Sequence, residues 1–487
     1  MNTVGRRLIQ KWVSYGPRFM PFADAATPEL PLSRLLRLSL FQVSVGMALV
    51  LLVGTLNRVM IVELGVPASL VGIMVSLPVL FAPFRALVGF RSDTHRSELG
   101  WRRVPFIWQG TLIQFGGLAI MPFALLVLSG QGNAAQAPPW LGPLAAGIAF
   151  LMTGAGLHIT QTVGLALATD LAPDEAKPKV VGLMYVMLLV GMIVSALVFG
   201  AMLVEFTPGR LVQVIQAAAL LTMVLNVVSL WKQEARRPLR FQKPREREPS
   251  FQESWARFSQ GRHALRRLAA VGLGTMAFGM ADILLEPYGG QVLGLTVGST
   301  TRLTAALAIG SLVGFALASR VLTRGVDPVR LAGLGALVGV PGFAAVICAA
   351  PLASPAVFVL GTAAIGFGAG LFGHGTLTAT MNLAPREQVG LALGAWGAIQ
   401  ATAAGLGVAL SGVIRDLVTA ATAGDTLPFG ISAAAGGYSV VYALEILLLL
   451  ATLVAMLPLM RGSRAQREAG VEAPLAHAVA GDAGESR

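Results

Sequence analysis

Long apolar stretches recur along the whole chain, and they constrain its fold more than any other feature. Twelve of them are long enough to cross a bilayer as helices, which takes about 20 apolar residues. Only 12% of the residues are charged, whereas a soluble domain carries about 25%. Backbone groups in lipid must be hydrogen-bonded within their own segment, so we predict an all-α polytopic membrane protein. The predicted spans cover residues 38–63, 68–88, 104–129, 141–168, 180–204, 211–231, 268–292, 301–322, 329–349, 355–380, 389–415 and 437–460.

The longest hydrophilic stretch divides the predicted spans into two groups of six. It covers residues 232–267 and carries eleven Lys and Arg residues, four Glu and three prolines, which is typical of a solvated linker. The predicted organisation is an N-terminal segment (1–37), a six-helix bundle (38–231), this linker (232–267), a second six-helix bundle (268–460) and a polar tail (461–487).

The positive charges are distributed unevenly between the two sides of the predicted bundles. If the N-terminus is placed in the cytoplasm, 31 of the 36 Lys and Arg residues fall in cytoplasmic segments, and only Arg210, Arg302 and Arg415 fall on the opposite side. Cytoplasmic loops of membrane proteins carry such an excess. We therefore expect both termini in the cytoplasm. The net charge of +12 then reflects membrane topology rather than binding to nucleic acid.

An internal repeat relates the two groups of spans. Gly154–Leu157 recurs as Gly368–Leu371, and Leu171–Pro173 recurs as Leu383–Pro385, at offsets of 214 and 212 residues. In each half, the first motif lies in the fourth span and the second motif follows that span. The repeat predicts two pseudo-symmetric six-helix halves of parallel topology.

A polar, basic loop joins the second and third spans. Gly89 is followed four residues later by Asp93 and then by the basic pair Arg102 and Arg103. This pattern resembles the signature loop of the major facilitator superfamily, with a longer spacing after the aspartate. The resemblance implies that fold, and it implies that Arg85 and Asp93 lock the cytoplasmic ends of helices. The alternative is an ordinary basic loop on the cytoplasmic face.

Four longer runs are more specific. They resemble the PucC/LhaA family of light-harvesting complex assembly proteins from purple photosynthetic bacteria, and the resemblance extends over about residues 15 to 460. Within this family the resemblance favours LhaA, which serves the core antenna around the reaction centre. The runs are Leu56–Leu64, Phe84–His95, Ala168–Pro173 and Asp282–Gly290.

The resemblance implies a function and a set of partners. The expected function is assembly of a light-harvesting complex in the bacterial inner membrane, with binding or delivery of bacteriochlorophyll or a late precursor. Carotenoid is a second candidate ligand. The expected partners are antenna polypeptides, the reaction-centre complex and lipid, with bacteriochlorophyll synthase as a further candidate.

Two histidines lie within apolar spans at roughly matched depth in the repeat. His158 and His374 each follow the repeated Gly-Ala-Gly-Leu motif. A neutral imidazole at this depth is a candidate axial ligand for the magnesium of the pigment, and Gln161 is a weaker candidate. The alternative for each histidine is an interhelical hydrogen bond. No direct metal site in the protein is predicted.

Charged residues inside or at the ends of the spans form a second candidate site. Such charges are costly in lipid and usually pair or line a cavity. Arg58 in the first span and Glu286 in the seventh are expected at similar depth near the periplasmic side. We predict that Arg58 pairs with Glu286 or with Asp282 and that Glu63 belongs to the same group, acting as a gate or as a static ion pair.

Glycine is unusually frequent, with 57 of 487 residues. Small residues allow helices to pack closely in lipid, and this is the main interpretation of the glycine-rich eleventh span. The alternative is that bare glycine backbone provides flat surfaces for a porphyrin ring.

Nothing in the sequence resembles a site for covalent catalysis, so an enzyme is not predicted. Two other functions stay open beside assembly. One is secondary transport of a small solute, and the other is a membrane scaffold that holds no pigment.

Overall fold

The computed structural model describes most of the two predicted bundles. The described residues are 22–78, 88, 91–92, 100–130, 134, 136–173, 175–235, 264–383, 389–422 and 433–482. The predicted signature residues Arg85, Gly89 and Asp93 lie outside these ranges, as does most of the predicted linker. Within the described ranges all regular structure is helical.

Six helices form the first half. Their order follows the predicted spans, and α1 begins six residues earlier than predicted. The structure describes the second span only up to residue 78, and α2 is the helix within that part. The helices are α1 (Leu32–Glu63), α2 (Ala68–Ser76), α3 (Val104–Ser129), α4 (Leu141–Leu171), α5 (Lys177–Met202) and α6 (Pro208–Leu230).

Six more helices form the second half. The last of them continues through the predicted polar tail, which is rich in Ala, Glu and Arg and therefore in strong helix formers. The helices are α7 (Leu265–Gln291), α8 (Val297–Leu322), α9 (Pro328–Ala349), α10 (Pro355–Leu383), α11 (Val389–Ala421) and α12 (Ala433–Asp482).

Membrane-spanning character is clear from length and composition. Eleven helices of the described part are long and apolar enough to cross a membrane, and the described part of α2 is the remaining predicted span. The packing within the halves repeats as the sequence predicts, because α3 packs on α4 in the first half and α9 packs on α10 in the second. The predicted fold of two six-helix halves is confirmed.

The two ends of the bundle differ. We call the end where α1 begins the linker end, because the end of α6 lies beside it, where Arg34 donates to the carbonyl oxygen of Gln233. We call the end where α1 finishes at Glu63 the far end. The halves meet mainly through two helix pairs, α2 with α11 and α5 with α8, and α1 also contacts α7 and α8.

The contact between α5 and α8 at the far end depends on two glycines. A Cβ atom on Gly298 would lie 2.6 Å from the carbonyl oxygen of Gly200. The backbones of the two halves therefore touch directly at this point, as expected for small residues at a helix interface in lipid. On the other side of the bundle, Gly412 of α11 packs in the same way against the backbone of Ala68.

The two helices that carry predicted charges are both irregular. In α1, the backbone N–H of Leu64 bonds to the carbonyl of Val59 at 3.0 Å, five residues back, so the turns near its far end are wider than α-helical turns. In α7, a tight turn at Ala281–Ile283 interrupts the helix. Wide turns inside α-helices occur frequently at functional sites.

Candidate functional site

Arg58 lies at the far end of α1 and is almost fully buried, with 3% of its surface exposed. Its Nη1 atom forms an ion pair with the carboxylate of Glu63. Its Nη2 atom donates to the carbonyl oxygen of Leu295, at 3.1 Å. Since Leu295 belongs to the second half, the guanidinium joins the two halves through a backbone acceptor. Gly290 permits this approach, because a Cβ there would lie 3.0 Å from Nη2.

The predicted pair between Arg58 and Glu286 or Asp282 is wrong. Among the described residues, the direct ion pair of Arg58 is with Glu63. The Glu286 carboxylate accepts a hydrogen bond from the Thr304 hydroxyl at 2.5 Å and lies in electrostatic range of Arg58 without pairing with it. The physical reason is the widened turn of α1. In a turn with i→i+5 bonding, residues five apart lie much nearer the same helix face than they do in an α-helix, so Glu63 reaches Arg58 without help from α7.

Further bonds join the halves near this position. The Asn57 amide donates to the carbonyl of Ile283 at 2.8 Å, beside Asp282. The backbone N–H of Ser69 donates to the Asp416 carboxylate at 2.7 Å. The sequence interpretation missed Asn57 and Asp416, and the adjacent Arg415 and Asp416 at the end of α11 are the signal that could have identified the second. The far end is thus bridged on both sides of the bundle.

Asp282 lies apart from this network. It sits in the tight turn of α7 and is partly exposed. Its carboxyl is in electrostatic range of Glu445 of α12, which is fully buried. Glu445 therefore faces a neighbouring helix rather than the outer surface.

His374 of α10 lies in a cluster of rings toward the linker end. Its ring centroid is 4.3 Å from that of Phe315 of α8, in an edge-to-face arrangement, and 5.9 Å from that of Phe22. The ring of Tyr185 of α5 packs near that of Phe315, with 6.4 Å between the ring centroids. We call Phe22, Tyr185, Phe315 and His374 the aromatic cluster. Phe22 belongs to the N-terminal segment, where no sequence pattern predicts a place in this cluster.

The His374 imidazole has an unused nitrogen. Its Nδ1 atom is buried and has no hydrogen-bond partner among the residues that the structure describes. The preceding residue, Gly373, faces open space, since an added Cβ would meet no atom within 4 Å. A neutral nitrogen donor beside bare backbone and aromatic rings fits the axial ligand and the flat apolar surroundings that a chlorophyll needs.

His158 lies at the repeat-related position of α4. It is 17 residues after the first residue of α4, and His374 is 19 residues after the first residue of α10, a difference in depth of about 3 Å. His158 is partly exposed, and Gln161, one turn later, is buried. The two histidines belong to different halves, and the aromatic cluster contains only His374.

The glycines of α11 divide between the two roles considered for them. A Cβ on Gly407 would lie 2.9 Å from the carbonyl oxygen of Met276, so Gly407 serves close packing against α7. Gly397 has no neighbour within 4 Å of an added Cβ. Next to it, the Trp396 indole donates to Thr376 of α10 at 3.3 Å. Gly373 and Gly397 thus leave bare backbone on two neighbouring helices.

The described part of the predicted signature loop is held by acidic residues that the sequence interpretation missed. Arg102 and Arg103 both pair with Asp170 at the end of α4, at 2.5 and 2.9 Å. The carboxylate of Glu234, just after α6, accepts the backbone N–H groups of Arg102, Arg103 and Val104 at 2.8 to 3.1 Å. Glu234 therefore caps the first turn of α3, where a negative charge is favourable.

Comparison with solved structures bears on the fold. The chain superimposes on a D-xylose–proton symporter with a TM-score of 0.64 and 14% identity, over 86% of this chain and 96% of the other. It also superimposes on a bacterial homologue of the human lysosomal transporter Spinster, in its inward-facing, unoccupied conformation, with a TM-score of 0.60 and 16% identity, over 87% and 94%. The fold is that of the major facilitator superfamily.

Comparison of sequences bears on the family. The chain is 66% identical to Protein PucC of Rhodovulum sulfidophilum over 420 residues, 86% of this chain and 92% of the relative. It is 59% identical to Protein PucC of Cereibacter sphaeroides over 461 residues, 95% and 99% of the two chains. Both relatives carry the name PucC, so they give no support to the lean toward LhaA.

A more distant relative is the bacteriochlorophyll synthase 44.5 kDa chain of Rhodobacter capsulatus. It is 29% identical over 404 residues, which are 79% of this chain and 88% of the relative. The sequence profile of the PUCC protein family matches residues 55–464. With this profile and relatives of 66% and 59% identity over most of both chains, the protein belongs to the PUCC family.

Proposed function

We propose that this protein is an assembly factor for a bacterial light-harvesting complex and that it holds bacteriochlorophyll, or a late precursor, at His374 while antenna polypeptides dock on its surface. Membership of the PUCC family and the family-specific runs support the assembly role. The observation that carries the pigment site is the unused imidazole nitrogen of His374 beside Gly373.

The chemistry of this position suits a pigment. When bound, the pigment would supply a magnesium ion that accepts one axial donor, and a neutral imidazole is such a donor. A buried polar atom without a partner is costly, and ligation would remove that cost. Phe315 provides an apolar ring beside the imidazole. His158 is the second candidate ligand, and the aromatic cluster makes His374 the preferred one.

The orientation that follows places the linker end in the cytoplasm of a bacterium, with the protein in the inner membrane. The excess of Lys and Arg at that end supports this orientation. The aromatic cluster then lies on the side where pigment is made. The far end, bridged by Arg58 and Asp416, faces the periplasm.

Docking of partners falls on the lipid-facing helices, because the described loops are short. Antenna polypeptides are the proposed partners, followed by the reaction-centre complex. The relationship to a protein named as a bacteriochlorophyll synthase chain supports a functional connection with pigment synthesis. The basic segment 232–267 would contact anionic lipid headgroups. The chain itself is proposed to act without catalysis.

A secondary transporter is the alternative function, since the solved structures with this fold include a symporter. A fold of this kind serves many functions, so the fold does not decide between the two. A scaffold without pigment is the third possibility.

Purification from a pigmented host tests the pigment role. We expect bound bacteriochlorophyll in the absorption spectrum of the wild-type protein and at least a severalfold loss in His374→Phe. His158→Phe is the comparison variant, because it removes the second candidate ligand, an imidazole of similar depth outside the aromatic cluster, and it should lose less pigment than His374→Phe. Full pigment occupancy in both variants would refute ligation by either histidine.

Deletion of the gene tests the assembly role. We expect depletion of one antenna complex while total pigment synthesis continues, and the complex that is lost identifies the antenna served. Normal levels of every antenna complex in the deletion strain would favour the transporter instead.

A further inference from the structure

Glu445 is a buried acid that the proposed function does not use. It lies within the membrane-spanning part of α12 and has no exposed surface. Both of its carboxyl oxygens lack a hydrogen-bond partner in the described part of the chain. One turn earlier, the Tyr442 hydroxyl is equally buried, also lacks a described partner, and lies in electrostatic range of Glu445.

The groups around Glu445 offer no compensating cation in the described part of the protein. From α7, the facing titratable group is Asp282. From α12 itself, the facing titratable group is Tyr442. Tyr438 lies one turn before Tyr442, and its hydroxyl donates to Gln291 at 2.7 Å. From α11, the nearby charges are Arg415 and Asp416, which pair with each other at 2.8 Å. From α9, the core residues against this region are apolar, such as Phe343 and Val346.

An ionised carboxylate in this position would be buried without a counter-charge or a hydrogen bond, which is strongly unfavourable. A protonated carboxyl carries no charge and can donate its hydrogen to a neighbouring oxygen. Two carboxyl groups in close range share one proton more readily than they hold two charges. The surroundings therefore favour a proton on this pair.

Asp282 is the more accessible acid of the pair. This residue is partly exposed, whereas Glu445 has no exposed surface. The turn that carries Asp282 is bonded to α1, because Asn57 donates to the carbonyl of Ile283 at 2.8 Å. Asp282 is thus one residue from an acceptor that joins the two halves.

We propose that Asp282 and Glu445 form a proton-binding site. The partly exposed Asp282 carboxylate takes up a proton from water and passes it to the Glu445 carboxylate, which leaves Asp282 ionised and Glu445 neutral. The site links proton uptake to the contact between α1 and α7. The site does not require pigment. A negative result for the proton site would therefore leave the proposed function untouched, and the reverse is also true.

The test is labelling with dicyclohexylcarbodiimide, which forms a stable adduct with protonated carboxyl groups in apolar surroundings. The purified full-length protein is labelled from about pH 5 to about pH 9, and the adducts are located by peptide mass spectrometry. We expect an adduct on Glu445 that declines as the pH rises, and its loss in Glu445→Gln. In Asp282→Asn we expect the adduct to persist with a shifted pH profile, because the coupled acid is gone.

Two controls establish that the labelling reports a proton on Glu445. Glu286→Gln removes a different buried acid, which lies on α7, and should leave the pH profile of Glu445 labelling unchanged. Glu205 lies in an exposed pair and should stay unlabelled. An unlabelled Glu445 at every pH, in protein that elutes as a folded monodisperse species, would overturn the proposal. Protection of Glu445 by sodium chloride but not by choline chloride would overturn it in favour of a metal-cation site.

The infrared spectrum provides a readout that does not depend on reactivity. We expect a carbonyl stretch of a protonated carboxylic acid that is absent in Glu445→Gln and present in Glu286→Gln. Gln is close in shape to a neutral Glu, so this variant should fold. Identical spectra for the wild type and Glu445→Gln would refute a proton on Glu445.

Discussion

The ring centroid of Phe22 lies 5.9 Å from that of the His374 imidazole, although the two residues come from opposite halves of the chain. Phe22 is fixed from the other side by the first half, where it packs closely against Gly182 of α5. Two positions later, Asp24 pairs with Lys179 of the same helix at 2.6 Å. The N-terminal segment therefore spans both halves and covers the proposed pigment ligand.

Phe22→Ala should raise the pigment occupancy of the purified protein, because it removes a ring that competes for the His374 imidazole. Aromatic pairs contribute about 0.5–1.5 kcal/mol, which corresponds to a rise in apparent affinity of about two- to twelvefold. The measurement is titration of the apoprotein with bacteriochlorophyll in detergent, followed by absorbance. Phe123→Ala is the control, since Phe123 is 68% exposed on the outer surface of α3. Unchanged affinity in Phe22→Ala would show that the ring does not compete.

Glu63→Gln should lower the free energy of unfolding by about 1–3 kcal/mol, because Arg58 then stays buried without its counter-charge. This range allows for the partial exposure of Glu63, whose side chain is 36% exposed. The measurement is unfolding by dodecyl sulfate in mixed micelles. Glu205→Gln removes a pair that is exposed on both sides and should cost less than about 0.5 kcal/mol.

Charge reversal identifies the partner of Arg58. Arg58→Glu combined with Glu63→Arg should recover part of the stability that Arg58→Glu loses. Arg58→Glu combined with Glu286→Arg should recover none, because Glu286 is bonded to Thr304. Recovery in the second double variant alone would mean that the pair forms across the halves in the membrane.

Glu234→Ala should destabilise the start of α3 by about 0.5–2 kcal/mol, the usual cost of losing a helix cap. The cause is the loss of an acceptor for the backbone N–H groups of Arg102, Arg103 and Val104. Hydrogen exchange followed by mass spectrometry should show faster exchange in the first turn of α3. Glu29→Ala, at an exposed position of the N-terminal segment, is the control and should leave that exchange unchanged. Unaltered exchange in Glu234→Ala would contradict the capping role.

Gly298→Leu should separate α5 from α8 at the far end, because there is no room for a side chain against Gly200. Spin labels on Glu205→Cys and Ser299→Cys, in a Cys348→Ser background, should report a longer distance by electron–electron double resonance. Gly209→Leu is the matched control, since nothing lies within 4 Å of an added Cβ there. Equal distances in both variants would mean that the glycine contact does not set the spacing.

The sequence was sufficient to predict the helices, their division into halves and the depth of His374. These depend on apolar length and on a repeat, which are local properties of the chain. The partner of Arg58 depends on a widened turn of α1, for which apolar composition gives no signal. An even α-helical spacing would have placed Glu63 on a different face, so α7 was the natural choice.

Other residues were missed because they lie next to segments without a pattern. Phe22 precedes α1 in the predicted N-terminal segment, and Glu234 follows α6 in the predicted linker. Their roles arise from tertiary contacts with α10 and α3, and no periodicity in their own segments predicts such contacts. Asp170 was part of a family-specific run, but its pairing with Arg102 and Arg103 depends on how α4 ends beside α3.

The meeting of Gly200 and Gly298 sets a lower limit on the time that opening of the far end takes. Side-chain rotamers exchange within picoseconds to nanoseconds, but a contact made by two backbones contains no rotamer to exchange. It separates only when one six-helix half rotates against the other, and collective motions of this kind take microseconds to milliseconds. A ligand held inside would therefore leave through that end at the rate of a rigid-body rotation, however small the ligand is.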